Sequence, residues 1–275
     1  MITSASNREV RSVAALHRRA EREATGLFLI EGRPEVERAV AAGVEIAAVY
    51  RLSGSDPLIL PGNPRSVELG DTAFHKLAYG RDGIVATART PAFAIDDLIL
   101  VEPALVLVVE SIEKPGNLGA ILRSADAAGA SMIVADPVTD MVNPNVVRAS
   151  VGSLFAVPLA VATTDEAIAF LKKRTIAIFP AMVGSGRAPW DLDLTGPLAI
   201  IIGNEHTGLS LSWSQAADNE VTLPMAGSAD SLNASITAAV MLFETVRQRS
   251  SAPRKIWEAK ELNPGFLRGR AAHDL

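Results

Sequence analysis

The sequence predicts an α/β protein built on a largely parallel sheet, and three observations predict it. From Ala104 onward, short apolar runs alternate with helical stretches, the pattern of strands joined by crossover helices. The run from Ala104 to Ser111 is continuously apolar almost to its end, as a strand buried on both faces must be. Three stretches rich in Gly, Asn and Ser each follow such a run: Pro115 to Arg123, Ile201 to Ser210 and Leu223 to Ser235. Strand ends of an open α/β sheet are where such folds place ligands, so the three loops point to one composite site.

Taken in order, Arg8 to Glu23 reads as a charged helix that Gly26 ends, followed by a short strand over Leu27 to Ile30. Pro34 to Ala42 suits a helix, with Pro in its first turn and Gly43 just past its end. Strands over Ile46 to Tyr50, Ser66 to Leu69 and Ile84 to Ala88, with a turn-rich loop from Ser53 to Pro64 and a helix over Thr72 to Ala78, complete a small α/β unit. Pro91 to Pro103 carries no clean period and reads as the linker to the next unit. Beyond the strand from Ala104, helices are expected over Asn117 to Ala128, Pro144 to Ser153 and Glu166 to Arg174. The last has cations in its final turn, which suits the helix dipole. Further strands are expected over Met132 to Ala135, Leu159 to Ala162, Ile176 to Pro180, Leu198 to Ile202 and Glu220 to Leu223, and a long final helix over Ser231 to Gln248. The organisation expected is a small unit over 1–96, a larger one over 97–250, and a polar, basic tail over 251–275.

The chain lacks cysteine, which excludes thiolate metal sites, disulfides and cysteine nucleophiles and fits a reducing compartment. The four histidines show no metal-ligand spacing. The polar first residues lack the apolar core of a signal peptide, and no apolar run reaches a membrane-spanning length. A cytoplasmic location without membrane or metal follows as the expectation. The net charge of −5 gives no electrostatic reason to expect nucleic acid. Its distribution softens the objection: residues 1–90 sum to +1, 91–246 to −10 and 247–275 to +4. Cations able to seek phosphate are Arg8, Arg11, Arg18, Arg19 and Arg22, unless they simply form a solvated helix face.

Each motif alone leaves two readings open. The first lacks both a dinucleotide fingerprint and a phosphate-binding lysine, so Gly116 and Gly119 could serve only a tight strand-to-helix turn. Arg123 has no part in such a turn. It lies six residues beyond Asn117, about 240° around the helix, so the two do not share a face. A guanidinium near strand ends could grip a phosphate or carboxylate in two-pronged fashion. In the second motif Gly203 allows a ligand close to the backbone, and Glu205 could cap a helix or pair with an arginine. In the third, Ser231 is a natural helix cap, and Asn233 could bond either backbone or ligand.

Together and in this order, the motifs resemble those of the SpoU (TrmH-type) RNA 2′-O-methyltransferases. Residues from about 104 to 248 resemble the family's catalytic domain. Phe28 to Val40 and Gly83 to Ala88 carry a looser similarity to its substrate-binding domain, which resembles a ribosomal-protein RNA-binding fold. The resemblance implies a SPOUT domain with a deep trefoil knot, a homodimer, S-adenosylmethionine as cofactor, and methylation of a ribose 2′-hydroxyl. Periodicity shows no knot, and fold statistics alone argue against one.

Position by position, the resemblance makes Asn117, Arg123, Glu205, Ser231 and Asn233 the catalytic set. It makes Gly203, Asn204, Leu223, Met225 and Leu232 cofactor contacts, largely through backbone groups, with Ala181 and Met182 of the loop after Pro180 lining the same pocket. One departure is Glu113-Lys114, where many relatives carry Asp before Pro-Gly-Asn. Arg123 is expected to orient the hydroxyl and stabilise the developing alkoxide, because a guanidinium is a poor base. The RNA expected is ribosomal, 23S rRNA in particular, since an added RNA-binding-like unit suits folded RNA read by shape. A tRNA substrate, a resistance-conferring rRNA methylation and a non-catalytic ribosome-assembly role are the alternatives.

Overall fold

The computed structural model describes residues 1–78 and 82–250; the expected basic tail over 251–275 lies outside the described residues. Two sheets organise them. The first has the order β1-β4-β2-β3, with β1 at Leu27–Glu31, β2 at Ile46–Leu52, β3 at Arg65–Leu69 and β4 at Ile84–Arg89. Here β2 and β3 run parallel and the other neighbours antiparallel. Helix α3 (Arg33–Ala41) follows β1, and a single turn, α4 (Asp71–Phe74), follows β3. The helix expected over Thr72 to Ala78 stops there, and the Leu77 carbonyl meets the His17 ring at 3.0 Å.

One helix was expected from Arg8 to Glu23, but two form: α1 (Arg8–Ala15) and α2 (Arg19–Thr25). No Gly or Pro causes the break. The Arg22 guanidinium donates to the carbonyls of Leu16 (2.8 Å) and His17 (3.0 Å), which a continuous helix would use for its own amides. Its other nitrogens hold Asp140, at 2.6 Å. At 3% exposure, Arg22 is a strut between the two sheets and not the phosphate-seeking surface cation its sequence neighbourhood suggests. Arg18 and Arg19 are paired as well, with Glu21 and Glu23.

The second sheet has the order β7-β6-β5-β9-β8, and every neighbouring pair is parallel. Its strands are β5 (Leu105–Glu110), β6 (Ser131–Ala135), β7 (Leu159–Ala162), β8 (Ala177–Pro180) and β9 (Leu198–Ile202). Helices α5 (Pro115–Ala128), α6 (Pro144–Ser150) and α9 (Ala234–Arg249) cover one face, with α5 packed between α6 and α9. Helices α7 (Thr164–Lys173) and α8 (Leu211–Ala216) cover the other, around the buried Trp213. Gly129 ends α5 in the left-handed conformation (φ 69°), which only a residue without a side chain adopts freely. One apolar cluster runs through both sheets, joining Phe28, Ile30, Val49 and Ala86 to Leu107, Leu118, Val146 and Met241.

Two expectations fail near the C-terminal end. Glu220 to Leu223 is no strand: Val221 makes isolated bridges to Ala181 and Arg187, the two limbs of one loop, and this leaves no ladder to extend. The final helix begins at Ala234, not Ser231, because Asn233 takes the cap and its Oδ1 accepts the Ser235 amide at 2.9 Å. Helix α8 was not foreseen, its six residues being too few for a period to show.

Candidate functional site

All five parallel strands end on one edge, and the chain reverses its direction of strand addition between β5 and β9. Crevices form at such switch points. A cavity of about 1080 Å³ opens there. Three segments build it: the loop after β8, the loop after β9, and the irregular stretch from Val221 to Asn233 that leads into α9. Ala181, Met182, Gly203, Asn204, Leu223, Met225 and Leu232 all line it, as do Glu205, Ser231 and Asn233.

A chain of hydrogen bonds ties the three sequence motifs together. Asn233 Nδ2 donates to Asn117 Oδ1 at 3.3 Å, and Asn117 Nδ2 donates to Glu205 Oε1. The other carboxylate oxygen of Glu205 is buried and has no hydrogen-bond partner among the described residues. A buried acceptor in that state costs free energy unless a ligand or water meets it. Arg123 stands apart. It is exposed on α5 and does not line the cavity, in keeping with the angle between it and Asn117.

The loop after β9 is shaped by residues with different tasks. Asn204 is buried, and its Nδ2 donates to the Ser111 carbonyl (2.8 Å) and Glu113 Oε1 (3.1 Å). Its Oδ1 accepts the amides of His206 and Thr207. The Asn204 side chain is thus consumed in the turn, and its backbone amide and carbonyl pair with Gly208 at 3.2 and 3.0 Å. Gly203 sits against the backbone of Gly208, where a Cβ would lie 2.5 Å from the Gly208 carbonyl carbon and oxygen. This glycine therefore serves loop closure.

Glu110, at the end of β5, is a residue the sequence reading passed over. It is 5% exposed and accepts four hydrogen bonds: from Thr164 Oγ1 (2.6 Å), Ser210 Oγ (2.8 Å), Trp213 Nε1 (3.0 Å) and the Ser210 amide (2.8 Å). It clamps the far end of the 203–210 loop to the sheet. A lone acid closing an otherwise apolar buried strand was the available signal. Among the described residues, no group of His, Cys, Asp and Glu is arranged to hold a metal ion, and no helix is long and apolar enough to cross a membrane.

Comparison with known proteins bears on both sheets. Residues 104–243 match the model of the SpoU rRNA Methylase family, and residues 7–82 match the MRM3-like substrate binding domain. A 23S rRNA (uridine(2479)-2'-O)-methyltransferase of Streptomyces viridochromogenes is 41% identical over 175 residues, an alignment covering 61% of each chain. The 23S rRNA (guanosine-2'-O-)-methyltransferase RlmB of Pseudomonas syringae pv. tomato is 34% identical over 256 residues, covering 88% of this chain and 95% of its own. The crystal structure of the SpoU methyltransferase AviRb from Streptomyces viridochromogenes with its cofactor AdoMet superposes with a TM-score of 0.81 at 30% identity, covering 88% of this chain and 98% of that one.

Proposed function

This chain belongs to the SpoU rRNA methylase family, and from that premise we propose that it transfers a methyl group from S-adenosylmethionine to a ribose 2′-hydroxyl of 23S rRNA. The observation that carries the reading is the hydrogen-bond chain from Asn233 through Asn117 to Glu205 at the wall of the large cavity. It joins three segments separated by up to 116 residues of sequence.

The cavity suits the cofactor. Met182, Leu223, Met225 and Leu232 give it apolar walls for a flat ring system, and loop backbone supplies polar edges. The unpartnered oxygen of Glu205 offers an acceptor in a place shielded from water. The bound cofactor supplies a methyl group on a positively charged sulfur, so the chain needs no metal to activate a leaving group. What the residues must contribute is alignment, with the hydroxyl proton passing to a phosphate oxygen of the RNA or to water as the methyl group is transferred. Asn117 and Asn233 fix Glu205 and the start of α9, so the groups facing the ribose are held before it arrives. Ser231, exposed at the cavity mouth, offers a hydroxyl for the incoming ribose.

Arg123 orients the substrate hydroxyl and stabilises the oxygen's developing charge. Because it lies outside the cavity of its own chain, it acts on the cavity of a second copy. A homodimer is supported by Ile236, Val240 and Phe243, spaced four and three residues apart on α9 and each at least 39% exposed. Val221 is buried and bridged to both limbs of the 181–187 loop, which supports a knotted passage of the chain. The sheet β1-β4-β2-β3 is the RNA-binding unit, and the location is the cytoplasm, where ribosomes are made.

Four experiments test the reading. S-adenosylmethionine, but not NAD or ATP, should raise the melting temperature. Mapping 2′-O-methyl sites in rRNA and tRNA, with and without the gene, should reveal one missing site in 23S rRNA; loss of a tRNA site instead would reassign the substrate. Arg123→Ala should abolish transfer and leave cofactor binding intact. Mixing that variant with one unable to bind cofactor should restore activity if the arginine acts across the dimer.

A further inference from the structure

A second cavity, of about 440 Å³, lies where α2 meets the loop between β6 and α6. That volume falls within the range of ligand sites. Phe93, Pro137, Met141, Val142 and Val161 give it apolar walls, and Arg19, Arg22, Glu23, Thr90 and Asp140 add polar side chains. The charges there cancel in pairs: Arg22 with Asp140 at 2.6 Å and Arg19 with Glu23 at 2.7 Å. A phosphate would find no uncommitted cation among these four. The cavity instead suits a flat, uncharged group with apolar faces and hydrogen-bonding edges, which describes an unstacked nucleobase.

Its position relates it to the first cavity. Thr139, beside Asp140 in the β6–α6 loop, donates its hydroxyl to the Glu113 carbonyl at 2.6 Å. The next residue, Lys114, lines the large cavity. Both cavities thus flank one short stretch of chain at the edge where β5 and β6 end. The second is also walled jointly by the two sheets' elements, so a group seated in it would touch both at once.

We propose that this second cavity binds an unstacked base of the RNA substrate, close in space to the nucleotide whose ribose enters the first cavity. The inference rests on the RNA-methylating function proposed above. Thr90 gives the test: it is exposed at the cavity rim, and its amide, not its side chain, makes its hydrogen bond to Gly26. Thr90→Trp should fill the cavity without disturbing the core. The expected result is a KM for 23S rRNA raised about tenfold, the scale set by losing one stacked base, with kcat and S-adenosylmethionine affinity unchanged.

A 23S rRNA fragment carrying photoreactive 4-thiouridine, irradiated with the unaltered chain, should crosslink to a residue that lines this cavity. An unchanged KM in the Trp variant, or crosslinking that reaches none of those residues, would overturn the proposal while leaving the methyltransferase reading in place. Failure of the unaltered chain to methylate any RNA would instead remove that reading, and this inference with it.

Discussion

Replacing Glu110 by Gln keeps the side chain's size, removes its charge and changes which atoms accept and which donate. An ionised carboxylate is an acceptor-only group and matches the four donors around it. An amide cannot. The hydroxyls of Thr164 and Ser210 can rotate to accept, but Trp213 Nε1–H and the Ser210 amide cannot, and they face different carboxylate oxygens. Whichever way the amide turns, one of them meets an NH2 group. An unsatisfied buried donor costs about 1–3 kcal/mol, and the surviving bonds lose their charge assistance, so the expected destabilisation is about 2–4 kcal/mol. For a chain of this size that is a fall in melting temperature of roughly 4–16 °C. Urea unfolding followed by circular dichroism gives the free energy, and calorimetric titration with S-adenosylmethionine reports the loop. Because Glu110 anchors the Ser210 end of the 203–210 segment, affinity should fall together with stability. A change below about 0.5 kcal/mol with unaltered cofactor affinity would refute the clamp.

Three further outcomes follow from the packing and the charges. Gly119→Ala would place a Cβ 2.4 Å from the Ala149 Cβ, prising α5 from α6 at a cost of about 1–3 kcal/mol, read by urea unfolding. Gly203→Ala would drive a Cβ into the Gly208 backbone; cofactor binding should be lost before secondary structure is, and unchanged affinity would mean the loop does not shape the cavity. Glu9 has its pKa lowered first by the hydrogen bond from Arg65, and also by the one from Tyr50. A carboxyl whose folded pKa lies below its unfolded value stabilises the fold above the unfolded value. That contribution is lost as pH falls through the folded one. Glu9→Gln should therefore flatten the acid limb of a stability-against-pH curve, and an unaltered limb would discount the pairing.

Regular elements with a strong pattern were legible in the sequence: β5, β7, β9 and α5 lie within a residue or two of where the apolar runs and Gly129 put them. The failures share a physical cause. The break between α1 and α2 is made by a side chain that must reach Asp140, over a hundred residues away, and no local rule contains that contact. Val221 looks like a strand because it is apolar and buried, yet its partners are single bridges on either side. At the site, the convergence of Asn117 and Glu205 was legible because each follows a strand end, and that of Asn233 because it opens the final helix. The place of Arg123 outside the cavity was not, since its motif puts it near the strand ends with Asn117 and helical geometry says only that the two do not share a face. The tasks of Asn204 and Glu110 were not, because a polar residue that bonds backbone and one that bonds ligand look alike in sequence.

The relation between the two sheets decides how the site can meet a large substrate. A substrate-binding unit on a free linker would sample many positions. Here the linker itself is engaged, its Phe93 carbonyl accepting the Val161 amide at 2.8 Å. Arg38 donates to the Val151 carbonyl, Arg22 holds Asp140, and the Phe28 and Phe155 rings lie 6.2 Å apart. With one apolar cluster continuous through both sheets, pulling them apart would expose core, which costs about 25 cal/mol per Å² of apolar surface. The sheets should therefore unfold in a single transition. Under the proposed function, RNA resting on the first sheet would be held at a fixed offset from the large cavity. Selection of the target ribose would then be a matter of distance and shape measured across the junction, not of domain closure around the nucleotide.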